Sequence, residues 1–414
     1  MLKYPKYVCG LLLVAVIGLW AGCATPRSGP PAERVYTSVE RRAEEQIAVL
    51  DQVWKLVDRR FYSPDFNGAD WATALDRYRE RAGEAESSEA LYDVLNEMLE
   101  ELGDAHTTAL NPHESWEEYT AERAFVGLNL ERVEDYWVVA ELRPGSTAAE
   151  AGVQTGWVAL ARNGVPLPDE GLDFVSQPGE SYEWSFADAD SQVHVVSLTA
   201  RTLSNRMPPV ERRSNEGWIY LRFDEFEDDY QEWLRARLKV HRDAPGIVLD
   251  LRQNSGGAVS SLERVMNDFF PSRVSYGAFV NRKGRRDEEK SAWLDGVGYE
   301  GSLAVLIGGA SASSAEILAH VFKHYERATL IGRPTAGVVV ASQYFRLRDG
   351  GELQLGTYDF QTLDGERLEG NGVQPDVLVE RTLDEIRLGR DADLETAVEW
   401  LRAHAPPTDV AAQL

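Results

Sequence analysis

The segment richest in chemical possibility is Leu303-Ala-Val-Leu-Ile-Gly-Gly-Ala-Ser311-Ala-Ser313-Ser314-Ala-Glu316. An apolar, strand-like run meets Gly308-Gly309, then small residues, then a helical pattern, so a serine stands at a helix N-terminus. Unpaired N–H groups and the helix macrodipole favour negative charge developing there, which is one half of an oxyanion site. Serine is also a favoured N-cap, and small residues permit close packing, so the segment alone leaves both readings open. A second segment, Ile247-Val-Leu-Asp250-Leu-Arg252-Gln-Asn254-Ser-Gly256-Gly257, is a buried strand running into a Gly-Gly loop. Such a loop can aim backbone N–H groups into a crevice at the strand's carboxyl end. A phosphate loop is the rival reading, yet neither GxxxxGK[ST] nor GxGxxG occurs and no lysine follows the glycines.

Two further segments carry titratable groups. Leu102-Gly103-Asp104-Ala105-His106-Thr107-Thr108 closes a helical region, and its histidine taken alone is equally a surface or capping residue. Leu368-Glu369-Gly370-Asn371-Gly372-Val373-Gln374-Pro375-Asp376 reads by itself as a turn before a strand. His320 and His324 stand four apart on one predicted helix, a metal-like spacing, but no glutamate follows His320 as in HExxH. No metal and no cofactor is therefore expected. His113, His194, His241 and His404 show no partner pattern, and the acidic run from Asp224 to Asp229 reads as a solvated connection.

The elements that must position these groups fall into three textures. From about 36 to 102, Ile47, Leu50, Val53, Trp54 and Val57, and then Leu91, Val94, Leu95, Met98 and Leu102, recur at spacings of three and four, which predicts a small helical domain. From about 124 to 201 short β-like runs at 126–130, 136–142, 157–163 and 193–199 are punctuated by Gly and Pro. From about 216 onward strands at 218–223, 247–251, 303–307 and 329–331 alternate with helices at 228–241, 260–270 and 314–325. That alternation predicts an α/β domain with a largely parallel sheet. A last amphipathic helix carries Leu394, Val398 and Leu401, and no fixed-period repeat is present.

Composition bounds the rest. The chain has 414 residues, 43% hydrophobic and 27% charged, with a net charge of -25. Its length suits two or three domains, and an acidic surface with no basic run argues against nucleic-acid binding. Lys3 and Lys6 precede an apolar run from Val8 to Trp20, too short for a spanning helix and suited to a secretory signal. The run ends in Trp20-Ala21-Gly22-Cys23, which resembles a bacterial lipoprotein cleavage site with Cys23 as the lipidated first residue. Cys9 would leave with residues 1–22, so the mature chain is expected to hold no disulfide. Residues 23–35 read as a flexible tether. Ala24 in place of an aspartate favours the outer membrane, facing the periplasm of a Gram-negative envelope.

Residues 119–203 resemble a PDZ domain. The resemblance rests on GSTAAEAGVQTGW (145–157), on Asn163-Gly164, and on Val126-Gly127-Leu128-Asn129-Leu130. It implies that Val126, Gly127 and Leu128 offer backbone N–H groups to the C-terminal carboxylate of a peptide that adds a strand to the sheet edge.

DLRQNSGG, SASSAEI, EGNGVQPD and Gly389-Arg-Asp-Ala-Asp-Leu-Glu395, in that order with a PDZ-like module ahead, resemble the C-terminal processing (tail-specific) serine peptidases. The resemblance implies a multidomain α+β protein: an N-terminal helical domain at 36–118, the PDZ β-domain, an α/β peptidase core of crotonase/ClpP-like type at 204–383, and a C-terminal helix and tail at 384–414. Ser313 matches the nucleophile, and Gly256 or Gly257 with the N–H of Ser314 match the oxyanion hole. Many members carry a lysine base 25 residues beyond the nucleophile, where this chain has Val338. The other branch, similar to the tricorn protease core, uses an N-terminal histidine, and LGDAHT resembles its signature. This casts His106 as the base and Glu369 as its orienting carboxylate, while Ala105 stands where that branch has a serine, leaving Asp104 as the other candidate. The expected function is hydrolysis of peptide bonds in protein or peptide substrates. The rivals are a catalytically inactive peptide-binding lipoprotein on the same fold and an esterase using the same serine.

Overall fold

The computed structural model describes residues 34, 36–168, 176–292 and 296–404. The expected signal peptide, Cys23, the tether apart from Arg34, and the tail beyond residue 404 lie outside the described residues. No described helix is long and apolar enough to cross a membrane.

The first region holds three helices, Val39–Arg60, Trp71–Glu84 and Ser88–Glu100. Ser38 and Ser87 start the first and third, each hydroxyl accepting a backbone N–H that the first helical turn cannot pair. Of the apolar positions read from the spacing, Leu50, Val53, Val57, Leu91, Val94, Leu95, Met98 and Leu102 are buried, and Ile47 and Trp54 are half-buried. This core does not close on itself. Val340, Leu347, Leu353 and Leu355, from the other end of the chain, pack into the same cluster.

Those residues belong to or flank an antiparallel sheet that the periodicity does not reveal. Glu352–Gln361 pairs with Thr108–Leu110, Ser275–Asn281 and Ala341–Arg346, and Ser275–Asn281 pairs in turn with Arg286–Lys290. Thr108–Leu110 thus docks onto the core side, Thr108 opposite Gln354, and carries the adjoining His106 with it.

The central sheet has six strands in the order Val210–Arg213, Ile219–Arg222, Gly246–Asp250, Ser302–Ile307, Thr329–Gly332 and Val377–Leu378. Every pair but the first is parallel. Ile247, Leu249, Val305 and Ile307 pack with the helices Asp228–Val240, Val259–Phe269 and Ser314–His324, whereas Val248, Ala304 and Leu306 pack with the helix Ala392–His404. Burial on both faces is why these strands read as continuous apolar runs.

The middle region is a sheet ordered Leu128–Val133, Tyr136–Leu142, Val158–Arg162, Ser181–Ala187 and Val193–Thr199 around Trp184, Phe186 and Leu198. Ser181–Ala187 was not among the expected strands. Glu122–Phe125 pairs with Arg201–Ser204, so the chain enters and leaves this sheet through one two-stranded neck. The short helix Leu383–Arg387 sets Leu383 and Ile386 against Val133, Val138 and Val158.

Candidate active site

Ser313 precedes the helix Ser314–His324 with φ 54° and ψ −119°. A side chain costs about 1–3 kcal/mol in such a conformation, so surrounding bonds must impose it. Its N–H donates to Val338 O at 2.8 Å and to Glu316 Oε2 at 3.0 Å. On the preceding residues, Ala312 N–H donates to Asn254 O (3.0 Å) and Ser311 Oγ donates to Leu251 O (2.7 Å). The turn is thereby tied to the loop that follows the strand Gly246–Asp250.

Glu316 is the residue to which the sequence assigns no role. Its carboxylate is fully buried and accepts four hydrogen bonds: Ser313 N–H, Thr335 Oγ1–H (2.6 Å), Gly337 N–H (2.7 Å) and Val338 N–H (2.8 Å). One anion thus joins the serine turn to the segment where the lysine position falls. An acid in a first helical turn is so common that the sequence does not distinguish this one from a surface residue.

Gly256 lies against Ser313: a Cβ built on it would stand 2.6 Å from Ser313 Cβ and 2.9 Å from Ala312 O. Its φ of +101° also suits glycine. The Gly256 N–H donates to Asn254 Oδ1 at 2.9 Å, while Asn254 Nδ2 donates to Phe223 O. This corrects the reading of Gly256 as an oxyanion donor, because its hydrogen is already engaged. Gly257 N–H and Ser314 N–H donate to nothing among the described residues. Ser314 Oγ donates to Gly257 O at 2.8 Å, holding those two backbones side by side.

His106 is half-buried, and its Nδ1 is buried without a partner among the described residues. Burial pushes its pKa down, and the nearby Asp104 and Glu316 carboxylates partly oppose the shift. No hydrogen bond joins its ring to Ser313, Asp104 or Glu369. Asp104 accepts instead from the His106 backbone N–H (3.3 Å) and from the Thr107 hydroxyl, and Thr107 Oγ1 accepts Gly356 N–H at 3.0 Å. Asp104 therefore shapes the loop rather than the imidazole. Glu369 Oε2 accepts Val339 N–H (2.7 Å) and Val340 N–H (3.1 Å). Burial raises the Glu369 pKa, these N–H groups lower it, and Asp104 raises it again. Asp104 lies against Gly356 and Glu369 against the Val339–Val340 backbone, and neither holds the histidine ring.

The DLR and GRDAD motifs meet in an ion network. Arg252 donates to Asp250, Asp391 and Asp393, and Arg333 to Asp393. Burial works against the Asp250 anion, but the Arg252 guanidinium beside it prevails and holds its pKa down. These ion pairs fasten the helix Ala392–His404 to the loops after the strands Gly246–Asp250 and Thr329–Gly332.

A cleft of about 160 Å³ separates the middle sheet from the core, with Asn129, Glu141 and Arg143 on one wall and Arg222, Gln253 and Ser255 on the other. Arg222 grips Glu141 through two 3.0 Å hydrogen bonds across it. In the loop ahead of this sheet, Val126 O accepts Ala148 N–H (3.1 Å), Gly127 O accepts Arg143 N–H (3.0 Å), and Gly127 N–H donates to nothing among the described residues. Leu128 opens the edge strand, which among the described residues pairs with Tyr136–Leu142 alone.

Residues 218–379 match peptidase family S41, and residues 43–100 match the tricorn protease C1 domain. A carboxyl-terminal-processing protease of Synechocystis sp. is 28% identical over 384 residues, covering 86% of this chain and 87% of that protein. A putative tricorn protease homolog of Streptomyces coelicolor is 25% identical over 91% of this chain and 34% of its own length. Among solved structures, the photosystem II D1 C-terminal processing protease superposes with a TM-score of 0.61 at 22% identity, over 87% of this chain and 98% of that one. Mature CPAF gives 0.63 at 13% identity over the same shares, a likeness of fold. The chain thus carries a peptidase family S41 domain at residues 218–379 with a tricorn protease C1 segment ahead of it, is a serine-type peptidase, and is similar to carboxyl-terminal-processing proteases.

Proposed function

We propose that this chain is an exported, lipid-anchored serine endopeptidase with Ser313 as nucleophile and His106 as general base. The observation that carries the reading is the strained Ser313 pressed against Gly256, with the free N–H groups of Gly257 and Ser314 beside it. Ser313 Oγ attacks the peptide carbonyl, and His106 takes its proton. The tetrahedral oxyanion accepts from Gly257 and Ser314, and His106 returns the proton to the leaving amine. Water then repeats the sequence on the acyl-enzyme. Asp104 and Glu316 supply negative charge near the imidazolium, Glu369 lies across the 339–340 backbone, and the ring gains its hydrogen bond to Ser313 when substrate closes the site.

The middle sheet acts as a PDZ module. Its edge strand Leu128–Val133 and the free Gly127 N–H support docking of an extended C-terminal segment, in keeping with the names of the relatives. Cys23 carries the lipid at the outer membrane, and Arg34, which donates to Arg348 O at 2.9 Å, marks where the tether meets the body.

Labelling with a fluorophosphonate, followed by peptide mapping, tests the assignment. An adduct on Ser313 that disappears in His106→Ala supports both roles. Labelling that survives His106→Ala keeps the nucleophile and removes the base. No labelling, even with C-terminal peptides added, favours the inactive peptide-binding lipoprotein, a reading motivated by the unpartnered His106 ring.

A further inference from the structure

The helix that starts at the serine turn ends in a cluster with no part in the catalytic reading. His320 and His324 stand one turn apart on it, so both imidazoles emerge on one face. The sequence lacks a third ligand nearby, but the fold supplies one. The turn after Glu352–Gln361 is closed by Thr362 N–H to Glu366 O (2.9 Å), Gly365 N–H to Thr362 O (3.0 Å) and Glu366 N–H to Thr362 Oγ1 (3.0 Å). It holds Asp364 over the helix end, with Oδ2 3.2 Å from His324 Nδ1.

We propose that His320, His324 and Asp364 form a binding site for a divalent transition-metal ion, with zinc as the probe. One ligand atom from each residue lies within 4.8 Å of the other two. Ligands of a tetrahedral zinc ion sit about 3.3 Å apart at bond lengths of ~2.0 Å, so small side-chain rotations close the cluster. His320 Nε2 is buried and has no hydrogen-bond partner among the described residues. Buried ring nitrogens ordinarily find one, and a metal ion is the partner that this geometry accommodates. Two imidazoles and one carboxylate select zinc, cobalt or nickel over calcium and magnesium, which prefer oxygen ligands throughout. The neighbouring Lys323 ammonium does not compete for the site, because it is held by Asp376 (3.0 Å) and Gln374 O (2.7 Å). Three protein ligands leave a fourth position for water. A bound ion would fasten the far end of the serine helix to the strand that pairs beside His106.

The full chain without an affinity tag, stripped with a chelator, is titrated with zinc against a chromophoric competitor. The expected result is one zinc per chain with a micromolar or lower Kd. Cobalt in place of zinc should give the visible absorption of a low-symmetry, four- or five-coordinate ion. His324→Gln and Asp364→Asn alter partly exposed side chains, so both should fold as the parent does, by circular dichroism, while losing at least tenfold in zinc affinity. Zinc should raise Tm in the parent and in neither variant. No binding at 100 micromolar zinc, or equal affinity in the parent and both variants, overturns the site. Serine labelling is read separately, so failure here leaves the catalytic reading untouched.

Discussion

A Cβ placed on Gly256 would stand 2.6 Å from the Cβ of Ser313, so these two residues from different strand-to-helix loops occupy a space that fits only one side chain. Gly256→Ala is expected to push the serine turn outward and to separate the Gly257 and Ser314 N–H groups. Peptide hydrolysis should fall by about 10²-fold or more, the scale of losing an oxyanion donor. Parent-like turnover in this variant would show that the two loops need not touch.

The backbone at Ser313 yields a stability prediction with a distinctive sign. Ser313→Gly and Ser313→Ala both remove the hydroxyl and should both abolish turnover. Only glycine relieves the strained φ of 54°. Ser313→Gly should therefore be more stable than Ser313→Ala by about 1 kcal/mol in urea unfolding. Equal midpoints would mean that the turn stores no strain.

With His106 as the proposed base, the pH profile follows from the burial of its ring. Burial lowers its pKa below the ordinary 6.5, so the neutral ring that accepts a proton persists into mildly acidic solution. The acid limb of kcat/KM should lie below pH 6.5, with activity rising as pH increases through it. The folded state binds this proton less readily than the unfolded chain does. The group's contribution to stability is thus present above about pH 6.5 and is lost as pH falls. His106→Ala should remove the activity limb along with turnover. An acid limb near pH 8 would point to another base.

Glu316 should matter more to folding than its place in a helical first turn suggests. Glu316→Ala leaves three backbone N–H groups and one hydroxyl without their acceptor, at an expected cost of about 3 kcal/mol or more. Glu316→Gln retains one carbonyl oxygen and should lie between Glu316→Ala and the parent in both chemical stability and serine labelling. An unchanged unfolding midpoint for Glu316→Ala would count against the carboxylate as the brace.

How much of this was readable in advance depended on where each residue's partners lie. The strands at 247–251 and 303–307 were legible within a residue, because helices cover both faces and leave only apolar side chains. Arg286–Lys290 reads RDEEK, with no apolar side chain at all. It is a strand only because Ser275–Asn281 pairs with it. Thr108–Leu110 is three residues long and depends on Glu352–Gln361, far along the chain. The site divides in the same way. The local pattern around Ser313 and the two glycines leaves a capping reading open and gains its roles only through the resemblance of the motifs, whereas the engagement of the Gly256 N–H by Asn254 and the four-bond role of Glu316 depend on three-dimensional neighbours.

The hydrophobic core shared between the N-terminal helices and Leu353 and Leu355 sets an order of events during biogenesis. His106 reaches its place only when Thr108–Leu110 finds Glu352–Gln361, a strand made much later in synthesis. A chain still being synthesised therefore carries its serine loop and His106 on parts that have not yet met. With the roles proposed for Ser313 and His106, the pair comes together only after this long-range strand pairing has formed. Long-range closure of this kind is slow relative to local helix formation.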